Sequence, residues 1–339
     1  MIKPIQLQFR VGMLIALAVL STFSLSLLPT AAGAVNNAPN TLKVSPVRSD
    51  ITISQGGKRA VKVTVTNLTN QEIFINPIEN DFIAGDERGT PALILDEDEF
   101  APTHSLKRFM KPLDDFTIPA NQSRTIEVII EVPKDAQAGG YFGAVRFAPS
   151  SPEDGGQVNL SASVASLILM TVPGDAVETL ELTDFKIQQK GKTGTFFTAP
   201  DNIQVATRFR NDGNVQLGPF GKISVTKGDD VVYEADFNDN DPREMVLPDS
   251  SRRWEVPLKD LDDFGNYTVS AVFTYGSSNK TIEIKQSFWV VPVGVIIAVI
   301  GGIVALIALI TATIFALRGY KKRILRNNSH RRRSGYSRR

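Results

Sequence analysis

Apolar and polar residues alternate with a period of two through most of the chain between Val35 and Ser287. The clearest runs are KRAVKVTVTN, SRTIEVIIEVP and NYTVSAVFTYG, and turns rich in Pro, Gly and Asn separate such runs roughly every 10 to 15 residues. A period of two places alternate side chains on opposite faces of a strand, and this turn spacing is typical of a β-sandwich. We therefore predict an all-β region made of two tandem immunoglobulin-like β-sandwiches.

The strand pattern divides this region into a first domain over residues 35–173 and a second over residues 174–287. Both contain an early strand that ends in an Asn-containing turn, TNLTN in the first and RNDGN in the second. One segment of the first domain, DFIAGDERGTPALILDEDEFAPTHSLKRFM, is long, acidic and weakly periodic. It predicts an insertion that forms a loop with a short helix or hairpin.

Apolar segments flank the two domains. Residues 1–34 combine a basic lead, an apolar run and an Ala-Gly-Ala site, which predicts a signal peptide, with an uncleaved anchor as the alternative. Residues 288–317 include a charge-free run long enough for about 30 Å of hydrocarbon. The basic residues 318–339 that follow predict a cytoplasmic tail. The topology is thus a single-pass protein of the cell membrane with its large N-terminal region outside.

Charge is segregated along the chain. Of 37 Lys and Arg residues, 12 lie in the N-terminal segment and in residues 318–339, whereas all 36 acidic residues lie between these segments. The region in between therefore carries about −11, which disfavours nucleic acid as its partner. The tail could bind nucleic acid or anionic lipid, although its charge is also explained by topology alone.

The sequence offers little catalytic chemistry. It has no cysteine and two histidines, His104 and His330, and it contains no nucleophile elbow, P-loop or paired metal-binding histidines. The stretch DFNDNDPREMVL places Asp236, Asn238 and Asn240 like part of a calcium loop, but Leu247 stands where the acid is required. We therefore predict a protein that is not an enzyme and holds neither metal nor cofactor.

The stretch AGGYFGAVRFAP, residues 138–149, resembles a strand but contains three glycines. Glycine weakens a strand interior, so either these residues form a turn and a bulge or another group approaches the backbone closely. On a strand, Val145 and Phe147 share one apolar face with Tyr141, and Phe142 and Arg146 share the other.

That second face predicts a ligand site formed by Phe142 and Arg146, with Tyr141 beside them. An aromatic ring can stack on a sugar, and an arginine can bind a carboxylate through two hydrogen bonds. The alternative is that Gly139 and Gly140 make a turn and Phe142 packs beneath the acidic insertion.

Residues 42–172 resemble the peptidoglycan-binding domain of the WxL-interacting protein family. The resemblance rests on an early Ser-Pro, a V-x-V-x-N strand ending at Asn67, the pair Val132-Pro133, and G-x-x-G-x-x-x-F from Gly140 to Phe147. It implies a membrane-anchored surface protein of Gram-positive bacteria whose first domain binds peptidoglycan. The second domain departs from the family and is similar to a general bacterial immunoglobulin-like module.

We therefore expect a non-enzymatic surface protein whose first domain binds the cell wall and whose second is a spacer or protein-interaction module. The partner would be peptidoglycan or another cell-surface protein. The alternative is a chaperone-like or assembly scaffold for secreted surface proteins or fibres, which would donate or accept strands at exposed sandwich edges. A third possibility is an accessory subunit of a membrane enzyme or transporter.

Overall fold

The computed structural model describes residues 41–150 and 163–334, within which the chain forms 18 strands and one long helix. The predicted signal peptide lies outside the described residues. The all-β class, predicted from the alternation, and the C-terminal apolar helix, predicted from the charge-free run, are both confirmed.

The first sandwich contains the strands up to Val172. Their bounds are β1 Leu42–Ser45, β2 Arg48–Thr52, β3 Lys58–Asn67, β4 Ile73–Ala84, β5 Pro91–Leu93, β6 Phe116–Ile118, β7 Ser123–Glu131, β8 Gly139–Ser150 and β9 Val164–Val172. One sheet has the order β1-β3-β7, and the other has the order β2-β9-β8-β4-β5, with β6 also on β4. Strands β1 and β2 belong to different sheets, so the chain crosses from one sheet to the other between Ser45 and Arg48.

The second sandwich contains the strands from Leu180 onward. Their bounds are β10 Leu180–Gln189, β11 Lys192–Thr193, β12 Phe196–Phe197, β13 Ile203–Asn211, β14 Phe220–Lys227, β15 Asp230–Phe237, β16 Ser250–Pro257, β17 Gly265–Tyr275 and β18 Lys280–Val290. Its sheets have the orders β11-β10-β13-β16 and β12-β18-β17-β14-β15.

Each sandwich has its own apolar core. In the first, Val63 and Val65 of β3 and Val128 of the neighbouring strand β7 are fully buried at alternate positions, as the period of two requires. In the second, the rings of Phe209 and Phe273 pack edge to face with centroids 5.1 Å apart. Such ring pairs add to the stability that burial of apolar area provides.

The helix α1 runs from Val293 to Ser334 and follows β18 after two residues. Within the described residues, one helical segment, Val293–Lys321, is long and apolar enough to cross a membrane. The sequence-based span starting at residue 288 begins too early, because Trp289 and Val290 are still paired in the sheet with Asn266 and Gly265.

The two Asn-containing turns have the same internal hydrogen bonds. Asn67 and Asn211 end β3 and β13, and both are fully buried. Each side-chain oxygen accepts from the backbone N–H two residues later, at 2.9 Å, and each amide donates to the carbonyl four residues later, at 2.7 and 2.8 Å. The amide of Asn211 also donates to Val246 O at 2.9 Å, which ties the turn to a distant loop. The similar turn sequences therefore reflect one repeated structural device.

We expect Asn211→Ala to destabilise the second sandwich strongly. The substitution leaves Val215 O and the N–H of Gly213 without their partner, whereas Val246 O keeps its hydrogen bond from Leu217 N. Each unpaired buried group costs roughly 1–3 kcal/mol. Urea unfolding of the full chain in detergent micelles should show that the free energy of unfolding falls by at least about 2 kcal/mol. Asn266→Ala, at an exposed position of β17, is the matched control and should change stability by less than about 0.5 kcal/mol. Equal losses for both variants would contradict this role of Asn211.

Candidate functional site: the seam between the sandwiches and the edge of strand β9

Asn214 joins the two sandwiches and the linker between them. Its side-chain amide donates to Ala138 O at 3.0 Å, and its own carbonyl accepts from Gly140 N at 2.8 Å. On the other side it bonds to the linker, because Asn214 N donates to Val177 O at 3.0 Å and Val177 N donates to Asn214 Oδ1 at 2.8 Å. All four hydrogen-bonding groups of this one residue therefore hold the junction, which we call the seam.

The close approach of Asn214 explains two of the three glycines. A Cβ on Gly139 would lie 2.7 Å from Asn214 O, and Gly139 has a φ of 145°, which favours glycine. A Cβ on Gly140 would collide with Gln216 Oε1. The two glycines open strand β8 rather than form the turn before it, and they are needed because another backbone lies against them.

The third glycine, Gly143, leaves room for the acidic insertion to pack against strand β8. A Cβ on Gly143 would lie 2.8 Å from Met110 Cε and 3.0 Å from Leu106 Cβ. The pairing of β8 with β9 and with β4 keeps its register through Gly143, so the strand has no bulge there. The predicted bulge is wrong because glycine is used here for space and not for a backbone irregularity.

Phe142 is buried between the first sandwich, the insertion and the second sandwich. It is 3% exposed and clusters with Phe82 and Leu169, against which Met245 and Leu247 of the second sandwich pack. Its backbone N–H donates to His104 O of the insertion at 2.8 Å. The packing beneath the insertion that we weighed as the alternative is what the structure shows, and the ring has no face free for a sugar.

Arg146 and Tyr141 are both partly buried and bonded within the first sandwich. Arg146 Nε donates to Asn80 Oδ1 at 3.2 Å. Tyr141 packs on the first core with its ring centroid 4.9 Å from that of Phe109, and its hydroxyl donates to Gln137 O at 2.9 Å. Burial raises the pKa of Tyr141 above its ordinary value. The three predicted ligand residues therefore do not face one common surface.

Three successive side chains of β4 hold the insertion in place. Glu79 Oε1 accepts from Leu113 N at 2.8 Å, and the Asn80 amide donates to Ile94 O at 2.8 Å. The fully buried carboxylate of Asp81 accepts from the N–H groups of Ala101 and Lys107, both at 2.9 Å. The insertion was predicted as a loop with a short helix or hairpin, and it contains a 3-10 turn at Lys107–Phe109 and pairs β5 with β4.

Polar contacts at the seam supplement the apolar cluster. Arg253 N donates to Glu87 O at 2.6 Å, and Arg208 Nε donates to Glu87 Oε1 at 2.9 Å. The Arg208 hydrogen bond lowers the pKa of Glu87. These groups are exposed to water, and exposed ion pairs contribute little stability, so they fix orientation more than they bind the sandwiches together.

Several clefts lie along the seam. One of about 80 Å³ lies among Arg48, Phe82, Met245 and Arg252, and its volume suits a few waters. Arg252 is held by Glu244 at 2.8 Å and by Met245 O at 3.1 Å, and burial lowers its pKa. A second cleft, of about 230 Å³, is lined by Phe82 and Leu247, and a third, of about 360 Å³, by Thr171 and Gln216.

Strand β9 has an edge with no strand partner in the described part of the chain. Strand β2 pairs with β9 only from Leu167 to Thr171, so Val164, Ala165 and Ser166 extend beyond it. Leu167 N donates to Val47 O on that side, and alternate residues of a strand point their N–H groups the same way. The N–H and carbonyl of Ala165 therefore face the same side, beyond the end of β2, whereas Ser166 is fully buried and its hydroxyl donates to Pro46 O at 2.7 Å. Sequence reasoning missed this edge, because strand order cannot be read from alternation.

The calcium-like loop has another structural role. The Asn238 amide donates to Pro219 O at 2.8 Å and to Glu244 O at 2.9 Å, and its oxygen accepts from Glu244 N at 3.0 Å. Residues 41–150 and 163–334 contain no group of three His, Asp or Glu side chains placed to hold a metal.

No protein-family model and no curated protein sequence matches the chain, so the resemblance to WxL-interacting proteins stays a prediction. Solved structures are similar to it. The class 5 fimbriae chaperone CfaA is 15% identical, with a TM-score of 0.35 over 73% of this chain and 98% of that one. The E. coli chaperone DraB is 16% identical, with a TM-score of 0.30 over 74% and 96%. The complex of the Salmonella enterica SafA pilin with the SafB chaperone is 16% identical, with a TM-score of 0.30 over 74% of this chain and 95% of that one.

The expectation that the first sandwich binds peptidoglycan is wrong. The similar structures named above are fimbrial chaperones, whose likeness to this chain is distant. Phe142, one of the candidate ligand residues, is buried at the seam.

Gly139→Ala should loosen the seam. The added Cβ would press on the Asn214 carbonyl, so we expect faster cleavage within residues 173–179 in limited proteolysis of the full chain in micelles. Each loss of about 1.4 kcal/mol in the free energy that holds the seam closed makes the fraction of molecules with an open seam roughly tenfold larger. Gly228→Ala is the matched control, because Gly228 also has a positive φ of 63° but no neighbour within 4 Å of a Cβ. Equal cleavage rates in the two variants would exclude backbone contact at Gly139 as the cause.

Glu79→Gln should stabilise the first sandwich at neutral pH. Burial raises the pKa of Glu79 above its ordinary value, so its contribution to stability is fully present below the ordinary value near 4.3 and falls as pH rises through the native pKa. Glutamine keeps an oxygen for Leu113 N without the charge. The urea midpoint of the variant should exceed that of the parent at pH 7, and the difference should shrink at pH 4. A pH-independent difference would contradict this account.

Proposed function

We propose that this chain is a non-enzymatic, membrane-anchored assembly scaffold that binds a secreted or surface protein by pairing one of its strands with β9. The observation that carries the proposal is the open edge of β9 at Ala165, next to the seam-stabilised face of the first sandwich. Backbone hydrogen bonds along an added strand supply affinity, and its alternate side chains supply specificity.

The edges at β16, β7 and β15 suit strand addition less well. On β16, Arg253 N is already bonded to Glu87 O, and beside β7 the residue Lys111 donates to Ile129 O at 2.9 Å. Strand β15 carries Glu234 and Asp236, and charged side chains discourage pairing at an edge. The edge of β9 carries instead the uncharged side chains of Val164 and Ala165, which are both half-buried.

The chemistry of the edge describes the partner. Val164 packs against the first core, so alternate side chains of an added strand would extend this core at its rim. A strand with small or medium apolar residues at alternate positions fits this place. Such a strand is exposed in an incompletely assembled β-protein. The distantly similar SafB chaperone is in complex with a pilin, SafA.

The helix α1 supplies the anchor in this proposal. Its segment Val293–Lys321 would cross the membrane once, with the sandwiches outside and the basic C-terminal residues in the cytoplasm. Anchoring confines the scaffold to the surface that newly exported subunits reach, which raises its effective concentration for them.

Ala165→Pro tests the proposal, because proline removes the one N–H of Ala165 that faces the open edge. The pairing of β8 with β9 is spared, since proline is tolerated at an edge position whose N–H points outward. The full chain with a photo-crosslinking amino acid at Val164, expressed in its own cells, should give an adduct with another exported protein. We expect Ala165→Pro to reduce this adduct at least tenfold.

Ala165→Val is the matched control, since it keeps the N–H and should keep the adduct. The urea midpoint should be within about 1 kcal/mol of the parent for both variants. An adduct confined to the chain itself, or one that Ala165→Pro leaves unchanged, would overturn strand addition at β9.

A further inference from the structure

We infer that the end of the second sandwich next to α1 is itself a membrane-contacting surface. Phe196, Phe264 and Trp289, which we call the aromatic row, enter the interfacial layer of the bilayer on the outer side. This inference rests on the proposed membrane span of α1, and it assigns a second lipid contact to residues of the folded sandwich.

The aromatic row crosses neighbouring strands at the end of the sheet next to α1. In the sheet order β12-β18-β17, Phe196 is the register partner of Trp289, and Trp289 is the register partner of Asn266. Phe264 lies two residues before Asn266, just ahead of β17. Phe196 is 54% exposed, Phe264 53% and Trp289 45%. Large aromatic side chains are seldom left this exposed in one place without a partner.

The row lies on the outer face of its sheet. Its chain neighbours Phe197, Phe288 and Val290 are buried in the second core, and successive side chains of a strand point to opposite faces. The aromatic row is therefore not a misplaced part of the core. No described residue of the chain buries these three rings.

The connection to α1 holds the row close to the membrane. Only Val291 and Pro292 separate β18 from the helix. The distance from the end of β18 to the start of α1 is therefore at most about 10 Å. Trp289 N donates to Thr195 O and Val291 N donates to Phe197 O, both at 2.8 Å, so β12 is fixed to this connection. The interfacial layer is about 5–8 Å thick on each side of the hydrocarbon, so the sandwich end must lie in it or directly above it.

The charges at this end favour aromatic rather than electrostatic contact. Asp260, Asp262 and Asp263 precede Phe264, and only Asp262 has a described ion-pair partner, Lys227, at 2.6 Å. Acidic groups gain nothing from anionic lipid, whereas Trp and Phe partition into the interface by their rings. Lipid contact should therefore not depend on anionic headgroups.

The test uses the absence of native cysteine, which allows single labelling of the full chain. Nitroxide labels are placed at Phe196→Cys and Phe264→Cys in nanodiscs of phosphatidylcholine, with and without phosphatidylglycerol. Power saturation compares contact with oxygen, which concentrates in lipid, and with a nickel chelate, which stays in water. We expect both labels to favour oxygen over nickel several-fold, in both lipid mixtures.

Two control labels separate the possible outcomes. Ile303→Cys in α1 tests the span itself, and Val272→Cys lies on the same outer face of β17, about 20 Å above Asn266, where the label should favour nickel. If Ile303 favours oxygen but Phe196 and Phe264 favour nickel, the aromatic row does not touch lipid and this inference fails alone. If Ile303 favours nickel, the proposed span fails. Labels at Phe196 or Phe264 that are shielded from both reagents, and whose spectra are broadened by the label of another chain, would indicate a second copy of the chain. That result would overturn the lipid contact.

Discussion

The hydrogen bonds of Asn214 are the interaction on which the arrangement of the two sandwiches depends. One residue of a turn in the second sandwich bonds to Ala138 and Gly140 of the first and to Val177 of the linker. This requires backbone to touch backbone, which glycine alone permits at Gly139. The linker would otherwise be a hinge, and relative motion is the default for domains joined by a short segment.

Several other features follow from that contact. With the sandwiches held together, the outer face of the sheet containing β8 becomes an interior, and Phe142 and Leu169 pack against Met245 and Leu247. The insertion closes the same face from another side, held by Glu79, Asn80 and Asp81 of β4. The sandwich surfaces that remain outside include the β9 edge and, at the far end of the second sandwich, the aromatic row. The seam thereby decides which surfaces remain for partners.

Much of the fold could be predicted from the sequence because period-two alternation is local. The all-β class, the apolar faces of β3 and β7, and the shared turns at Asn67 and Asn211 all depend on neighbours within a few residues. The glycines of β8 pointed correctly to a close approach as one of two options. The group that approaches them, Asn214, could not be identified from the sequence, because it lies more than 70 residues away along the chain. Phe142 was similarly ambiguous, because its alternation shows which face it is on but not that the second sandwich covers that face.

The candidate site was harder to predict for the same reason. An open edge is a property of strand order, and the order β2-β9-β8 joins segments far apart in sequence. The composition of Val164, Ala165 and Ser166 carries no sign that β2 ends beside them. The candidate ligand site of Phe142 and Arg146 failed because a ring and an arginine on one strand face indicate a ligand only if that face is exposed.

The most direct test of this account is the distance between the two sandwiches. Spin labels at Leu68→Cys in the first and Val272→Cys in the second, both exposed positions, can be introduced into this cysteine-free chain without further changes. Double electron–electron resonance on the full chain in nanodiscs should give a single narrow distance distribution, which broadens when Asn214 is changed to alanine. A broad or multimodal distribution in the parent chain would contradict a fixed seam.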